Sequence, residues 1–256
     1  MVVEKYKLAL TALIIATSAA FSLPASASSF NPFIIRGSAT IDTSVPGQTE
    51  FVTANSGDKA GLGSNDINGM TLGSIANISI DRLDDEGRFA SGSGPAVAPY
   101  LNFWITNGLG DFAVVANEPS NSAFQPLYNN GYSLSFADLS DKTAKIYEND
   151  DKSWLPSNGI GLTFADLAGF TIMAPTVAEL TTGWTGLGTG APRELNTNVA
   201  YGVNWVFGDT ANNYVSGENP GYIVANAAVS AVPLPATAWL LAAAVGLLGW
   251  RGRKAA

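Results

Sequence analysis

The chain has 256 residues, 21 acidic and 13 basic side chains, a formal charge of −8 at pH 7, and no histidine. Cysteine is absent as well, which excludes Ser/His/Asp and Cys/His nucleophile arrangements, His-containing zinc or iron sites, and disulfide staples. The acidic balance argues against nucleic acid and anionic lipid as partners.

Residues 1–27 read as a signal peptide. Glu4, Lys5 and Lys7 precede an apolar run from Leu8 to Phe21, and Ala25-Ser26-Ala27 offers the small residues that signal peptidase needs, so cleavage after Ala27 leaves Ser28 first. Residues 28–231 then form an exported domain of about 200 residues, enough for one sizeable core. Setting aside Glu4, Lys5, Lys7, Arg251, Arg253 and Lys254, that domain carries 20 acids against 8 bases. Such a surface suits neutral polysaccharide or divalent cations.

Within the domain, short apolar runs alternate with clusters of Gly, Asn, Asp, Ser and Pro, and no sustained 3.6-residue period occurs. The pattern predicts an all-β fold, a single β-sandwich of jelly-roll type, with a barrel as the alternative. Strands are expected at 75–80, 100–106, 112–116, 132–136, 144–147, 199–207 and 221–229, with Asn107-Gly-Leu-Gly-Asp111 turning one hairpin. Gly57 to Gly73 reads as a long surface loop, and Gly183 to Gly190 as a flexible, ligand-accessible one. Phe136-Ala-Asp-Leu139 echoes in Phe164-Ala-Asp-Leu167, where Thr163 is placed to cap a short helical turn before a strand at 170–174.

The remaining polar chemistry is carboxylate, hydroxyl and amide. Glu118 is the first acid to consider for glycoside hydrolysis, with Asp111 or Glu148 as its partner. Calcium is the metal that such loops could take, at Asp150 and Asp151 foremost, or at Asp81 with Asp84-Asp85-Glu86, or at Asp209 with Asn212 and Asn213. No other cofactor is expected. Trp104 and Trp205 sit inside strands and belong to the core, whereas Trp154 and Trp184 lie in loops where an indole can stack on a sugar ring. Tyr100, Tyr128 and Tyr132 are further platforms.

Residues 232–256 give an address. Val232-Pro233-Leu234-Pro235-Ala236 resists helix and favours extended backbone, which a protease can bind as a strand. The uncharged run from Ala236 to Trp250 makes a helix of roughly 22 Å, against ~30 Å for the hydrocarbon core, so it is a minimal transmembrane span. Trp239 and Trp250 bracket it, and Arg251, Arg253 and Lys254 form a membrane stop that keeps the extreme C-terminus in the cytoplasm.

This stretch resembles the PEP-CTERM family of bacterial sorting signals in its VPLPA variant: a proline-flanked motif, a short apolar helix with Trp-Leu-Leu near its start, and a basic end. The resemblance implies an exosortase, a membrane-embedded cysteine protease, as partner, in an organism that makes exopolysaccharide. Leu234 stands where the commonest form has Glu. Two internal stretches, Pro99 to Asn107 and Ala116 to Ser120, look like segments of other exported proteins with this signal. The expectation is a precursor in the inner membrane that becomes a cell-surface or extracellular-matrix protein associated with exopolysaccharide. An extracellular glycoside hydrolase or lyase, and a structural or adhesive protein without a small ligand, are the alternatives.

Overall fold

The computed structural model describes residues 28–84, 99–118, 121–124, 131–147, 151–182, 190–208 and 221–232. Residues 1–27, read above as a signal peptide, and everything from Pro233 onward lie outside the described residues, as do Trp184 and Asp150. Among the described residues no helix is long and apolar enough to cross a membrane.

The described strands are β1 (Asn31–Arg36), β2 (Thr40–Asp42), β3 (Gln48–Val52), β4 (Lys59–Ser64), β5 (Ile75–Arg82), β6 (Tyr100–Thr106), β7 (Phe112–Ala116), β8 (Tyr132–Leu134), β9 (Lys145–Tyr147), β10 (Thr171–Ile172), β11 (Val203–Phe207) and β12 (Gly221–Ala231). Two short helices, α1 (Phe136–Leu139) and α2 (Val177–Thr182), interrupt them. All pairing is antiparallel and falls into two sheets. The larger runs β1-β4-β11-β6-β7-β9 with β10 also on β6, and the smaller runs β2-β3-β12-β5-β8.

The sheets face each other across one core. Phe51 of the small sheet stacks on Phe207 of the large one at 4.2 Å, and Tyr132 meets Trp205 edge-on at 6.1 Å. Trp104 and Trp205 are fully buried, as their strand positions predict. The mostly-β sandwich expected from the sequence is therefore what folds.

The sheets differ on their outer faces, and the sequence shows why. Along β5, Ile78 and Ile80 are buried while Asn77 and Ser79 are half-buried and Asp81 is exposed, the alternation of a sheet wetted on one side. There the Ser133 hydroxyl donates to Asn77 Oδ1 at 2.9 Å. Every residue of β6, β7 and β11 is instead buried, because a second layer covers the large sheet. Leu180 of α2, Ala191 and Ala200 pack on Trp104, Phe112 and Val114, and Trp104 Nε1 donates to the Pro192 carbonyl at 3.1 Å.

The hairpin of β6 and β7 forms as its turn chemistry predicts. Gly108 and Gly110 take φ of +79° and +102°, and Leu109 N–H donates to Asn107 Oδ1 at 2.8 Å. The two Phe-Ala-Asp-Leu copies also share a device. Asp138 Oδ2 accepts from Ser135 N–H and hydroxyl, both at 2.7 Å, and Asp166 Oδ2 accepts from Thr163 N–H and hydroxyl, both at 2.8 Å. Each carboxylate thus stops a helical turn at its N-terminal end.

Some expectations need correction. The stretch from Gly57 to Gly73 is not a surface loop: it holds β4, buried along its whole length between β1 and β11. Its glycines serve packing, since a Cβ on Gly61 would lie 2.5 Å from Phe33 Cζ and one on Gly63 would lie 2.6 Å from three atoms of Tyr201. Phe136 starts α1 rather than ending β8, and β11 starts at Val203 rather than Val199.

A buried carboxylate clips two turns. Asp58, 3% exposed, accepts from Ser38 N–H at 2.8 Å and hydroxyl at 3.3 Å, and from Asn55 N–H at 2.9 Å and Nδ2 at 3.2 Å. Burial pushes this carboxyl up, but the N–H donors of Asn55 and Ser38 outweigh it and hold the carboxyl below its ordinary value. A group depressed in the folded state contributes stability that is present above the unfolded carboxylate value, about 3.9, and is lost as pH falls through the folded value. Asp58→Asn is therefore expected to cost about 1–3 kcal/mol at pH 7, because one face of the amide cannot accept. Its urea midpoint should then fall less than the parent's between pH 4 and pH 2. An equal fall in both proteins would remove Asp58 from the acid response.

Candidate functional site

Trp154 is half-buried, meets Phe170 at 5.3 Å with the rings 81° apart, and packs against the main core. Asp151 is exposed and closes a local turn: its carboxylate accepts from the Ser153 hydroxyl at 2.6 Å and N–H at 2.8 Å, contacts that hold it below the ordinary carboxylate range. Asp81 accepts from Asn226 Nδ2 at 2.7 Å. Asp84 is not a loop ligand but the buried partner of Arg82. Among the described residues no group of three or more acids is placed to hold a metal ion. The Asp85-Glu86 and Asp209 to Asn213 clusters lie outside them.

The acids weighed for hydrolysis separate. Glu118 pairs with Lys145 at 2.9 Å just beyond β7, whereas Asp111 precedes β7 and accepts from Asn107 Nδ2 at 2.7 Å. The five residues of β7 and Asn117 lie between them, about 20 Å of extended chain, and glycosidases need their carboxyls within roughly 5–9.5 Å. These two acids cannot work as a pair. Glu148 is outside the described residues.

What the fold does bring together is a row of small and amide side chains across the covered face of the large sheet. Register places Gly63 beside Asn204, Asn204 beside Asn102, Asn102 beside Ala116, and Ala116 beside Lys145. Bulkier neighbours flank the row, Val206 and Tyr100 on one side and Trp104, Val114 and Tyr147 on the other. Cross-strand neighbours on one face have Cβ atoms about 4.5–5.5 Å apart, so these side chains are in mutual reach.

Asn102 and Asn204 are both fully buried. Asn102 Nδ2 donates to the Tyr147 hydroxyl, and Asn204 Nδ2 donates to the Tyr201 carbonyl at 2.7 Å. The Oδ1 atoms of both have no partner among the described residues. Leaving an amide oxygen desolvated costs about 1–3 kcal/mol, and two neighbouring acceptors without a donor invite a hydroxyl, from water or from a ligand. At the edge of the row Lys145, half exposed, stands over the Tyr147 ring at 5.7 Å while pairing with Glu118. Burial, and then the Glu194 carboxylate, keep the Tyr201 phenol above its ordinary value, so it stays a neutral donor.

Sequence reading passed over this row although it left a trace. In Tyr-Leu-Asn-Phe-Trp-Ile and Val-Asn-Trp-Val-Phe, a single amide sits inside an otherwise apolar strand, where it needs a reason. Comparison with protein-family models, with curated proteins and with solved structures finds no match.

Proposed function

We propose that the chain is an exported surface or matrix protein that associates with a neutral polysaccharide, on a jelly-roll-like sandwich, after a C-terminal sorting signal has been read by an exosortase. The observation that carries the address is the run from Val232 to Lys254: a Pro-x-Pro pair, a short apolar stretch and a basic end. An anchor alone has no need of the prolines.

The amide row supports the polysaccharide part of the reading. Neutral sugars bind through hydroxyl groups to amides and through ring faces to aromatic side chains, and the row supplies buried amide oxygens with Tyr147, Lys145 and Glu118 at its accessible edge. The exported protein, applied to a glycan array and to a gel of neutral polysaccharide, is expected to be retained equally with calcium and with chelator. Tyr147→Ala with Lys145→Ala should weaken retention roughly tenfold, equivalent to ~1.4 kcal/mol. Retention unchanged in that variant but lost in Trp154→Ala would move the site to the loop tryptophans. No retention by the parent would leave a structural role.

A further inference from the structure

Ser28, the residue that follows the expected leader cut, and Val232, the first residue of the motif, both lie at the end of β12. The Ser28 hydroxyl donates to the Val229 carbonyl at 3.0 Å and accepts from the Val229 N–H at 2.9 Å. Val229 lies beyond Ala225, the last residue of β12 that β3 pairs, so Ser28 supplies bonds that a neighbouring strand would otherwise make. Ser29 N–H donates to Asp66 Oδ2 at 2.6 Å and fixes the residue that follows. Three residues beyond Val229, Val232 N–H donates to the Ser74 carbonyl at 2.6 Å. The first residue of the motif is therefore itself docked on the sheet, and no linker separates β12 from the prolines.

Two consequences bear on a protease. A strand-binding active site needs several extended residues with free backbone groups, yet those upstream of Val232 belong to β12 and are paired with β5 as far as Ala231. From Val232 to Ala236 there are four peptide steps, at most about 14 Å, so the folded pole stands close to wherever the apolar run begins. We propose that the Ser28–Val229 clamp is a gate on C-terminal processing: it keeps the end of β12 in the sheet, and the motif becomes a full substrate only when that end peels away. This rests on the sorting reading above. The clamp uses the residue that leader removal makes the N-terminus, which ties the gate to the maturation of the other end.

The test follows the full chain in its own host by pulse and chase, with a C-terminal tag reporting the uncut form. Ser28→Ala keeps a small residue at the leader junction and removes both clamp bonds. A six-residue Gly/Ser insertion between Ala231 and Val232 leaves the clamp but frees the motif. Both variants are expected to shorten the half-life of the uncut form at least threefold, with mass spectrometry confirming that the leader is still removed after Ala27 in each. Half-lives within a factor of 1.5 of the parent in both variants overturn the gate, as does slower processing, which would make the pole a docking surface instead. If the parent itself is never shortened, the sorting reading fails and the gate falls with it.

Discussion

Arg82→Met is expected to destabilise the protein by about 3–5 kcal/mol, the cost of leaving a buried charge without its partner. The Arg82 side chain is 6% exposed and that of Asp84 is fully buried. Nε donates to both carboxylate oxygens at 3.1 Å, Nη2 to Oδ2 at 2.9 Å, and Nη1 to the Tyr132 hydroxyl at 2.8 Å. The guanidinium lies against two rings, Tyr222 at 5.5 Å and Tyr132 at 5.8 Å from their centroids. Asp84 in turn accepts from Ile223 N–H at 3.1 Å, so the pair joins β5, β8 and β12. Burial alone would lower the Arg82 pKa, but the Asp84 carboxylate and Tyr132 raise it above its ordinary value. The group stays charged throughout, and the loss in Arg82→Met should be constant from pH 6 to pH 9 in urea unfolding. Arg82→Met with Asp84→Leu should recover most of it, because a buried pair replaced by apolar groups is often neutral. A single variant within 1 kcal/mol of the parent would mean that water reaches the pair.

The second large effect is expected at Gly63. In Gly63→Ala the new methyl meets Cβ, Cγ and Cδ2 of Tyr201 at 2.6 Å, distances that real side chains do not tolerate. Tyr201 cannot simply move off: its ring packs on Phe33 at 5.2 Å and its carbonyl holds Asn204. The substitution should cost about 2–3 kcal/mol as overpacking and lower Tm by roughly 4–12 °C. Tyr201→Ala in the same chain should restore part of the loss, a non-additivity expected for side chains in contact. Gly169→Ala is the control, because a Cβ there meets nothing within 4 Å. Equal melting of Gly63→Ala and the control would show that the second layer is looser than the packing implies.

Gly63 also explains what sequence could and could not tell. The hairpin of β6 and β7 was legible because everything that makes it is local: an apolar run, two glycines able to take positive φ, and Asn107 turning the chain. β4 was not, because Lys-Ala-Gly-Leu-Gly-Ser has the composition of a loop. Its glycines are needed only by rings that arrive from Phe33 and Tyr201, and periodicity within a short window carries no record of them. The candidate site failed to show itself for the same reason. Asn102 could be seen in a confident strand, but its meaning depends on Asn204, and only the pairing of β6 with β11 sets the two side by side. Thr163 as a cap was readable, since a side chain three residues from its carboxylate acceptor needs no tertiary information.

The position of β12 bears on mechanics. It is the chain's last described strand, eleven residues long, and it lies inside the small sheet, flanked by β3 and β5, rather than at an edge. A pull transmitted through Val232 therefore runs along β12. The rungs of an antiparallel ladder lie across the strand, so such a pull shears them together instead of opening them one after another. Any load applied at that end would be shared by the whole ladder at once.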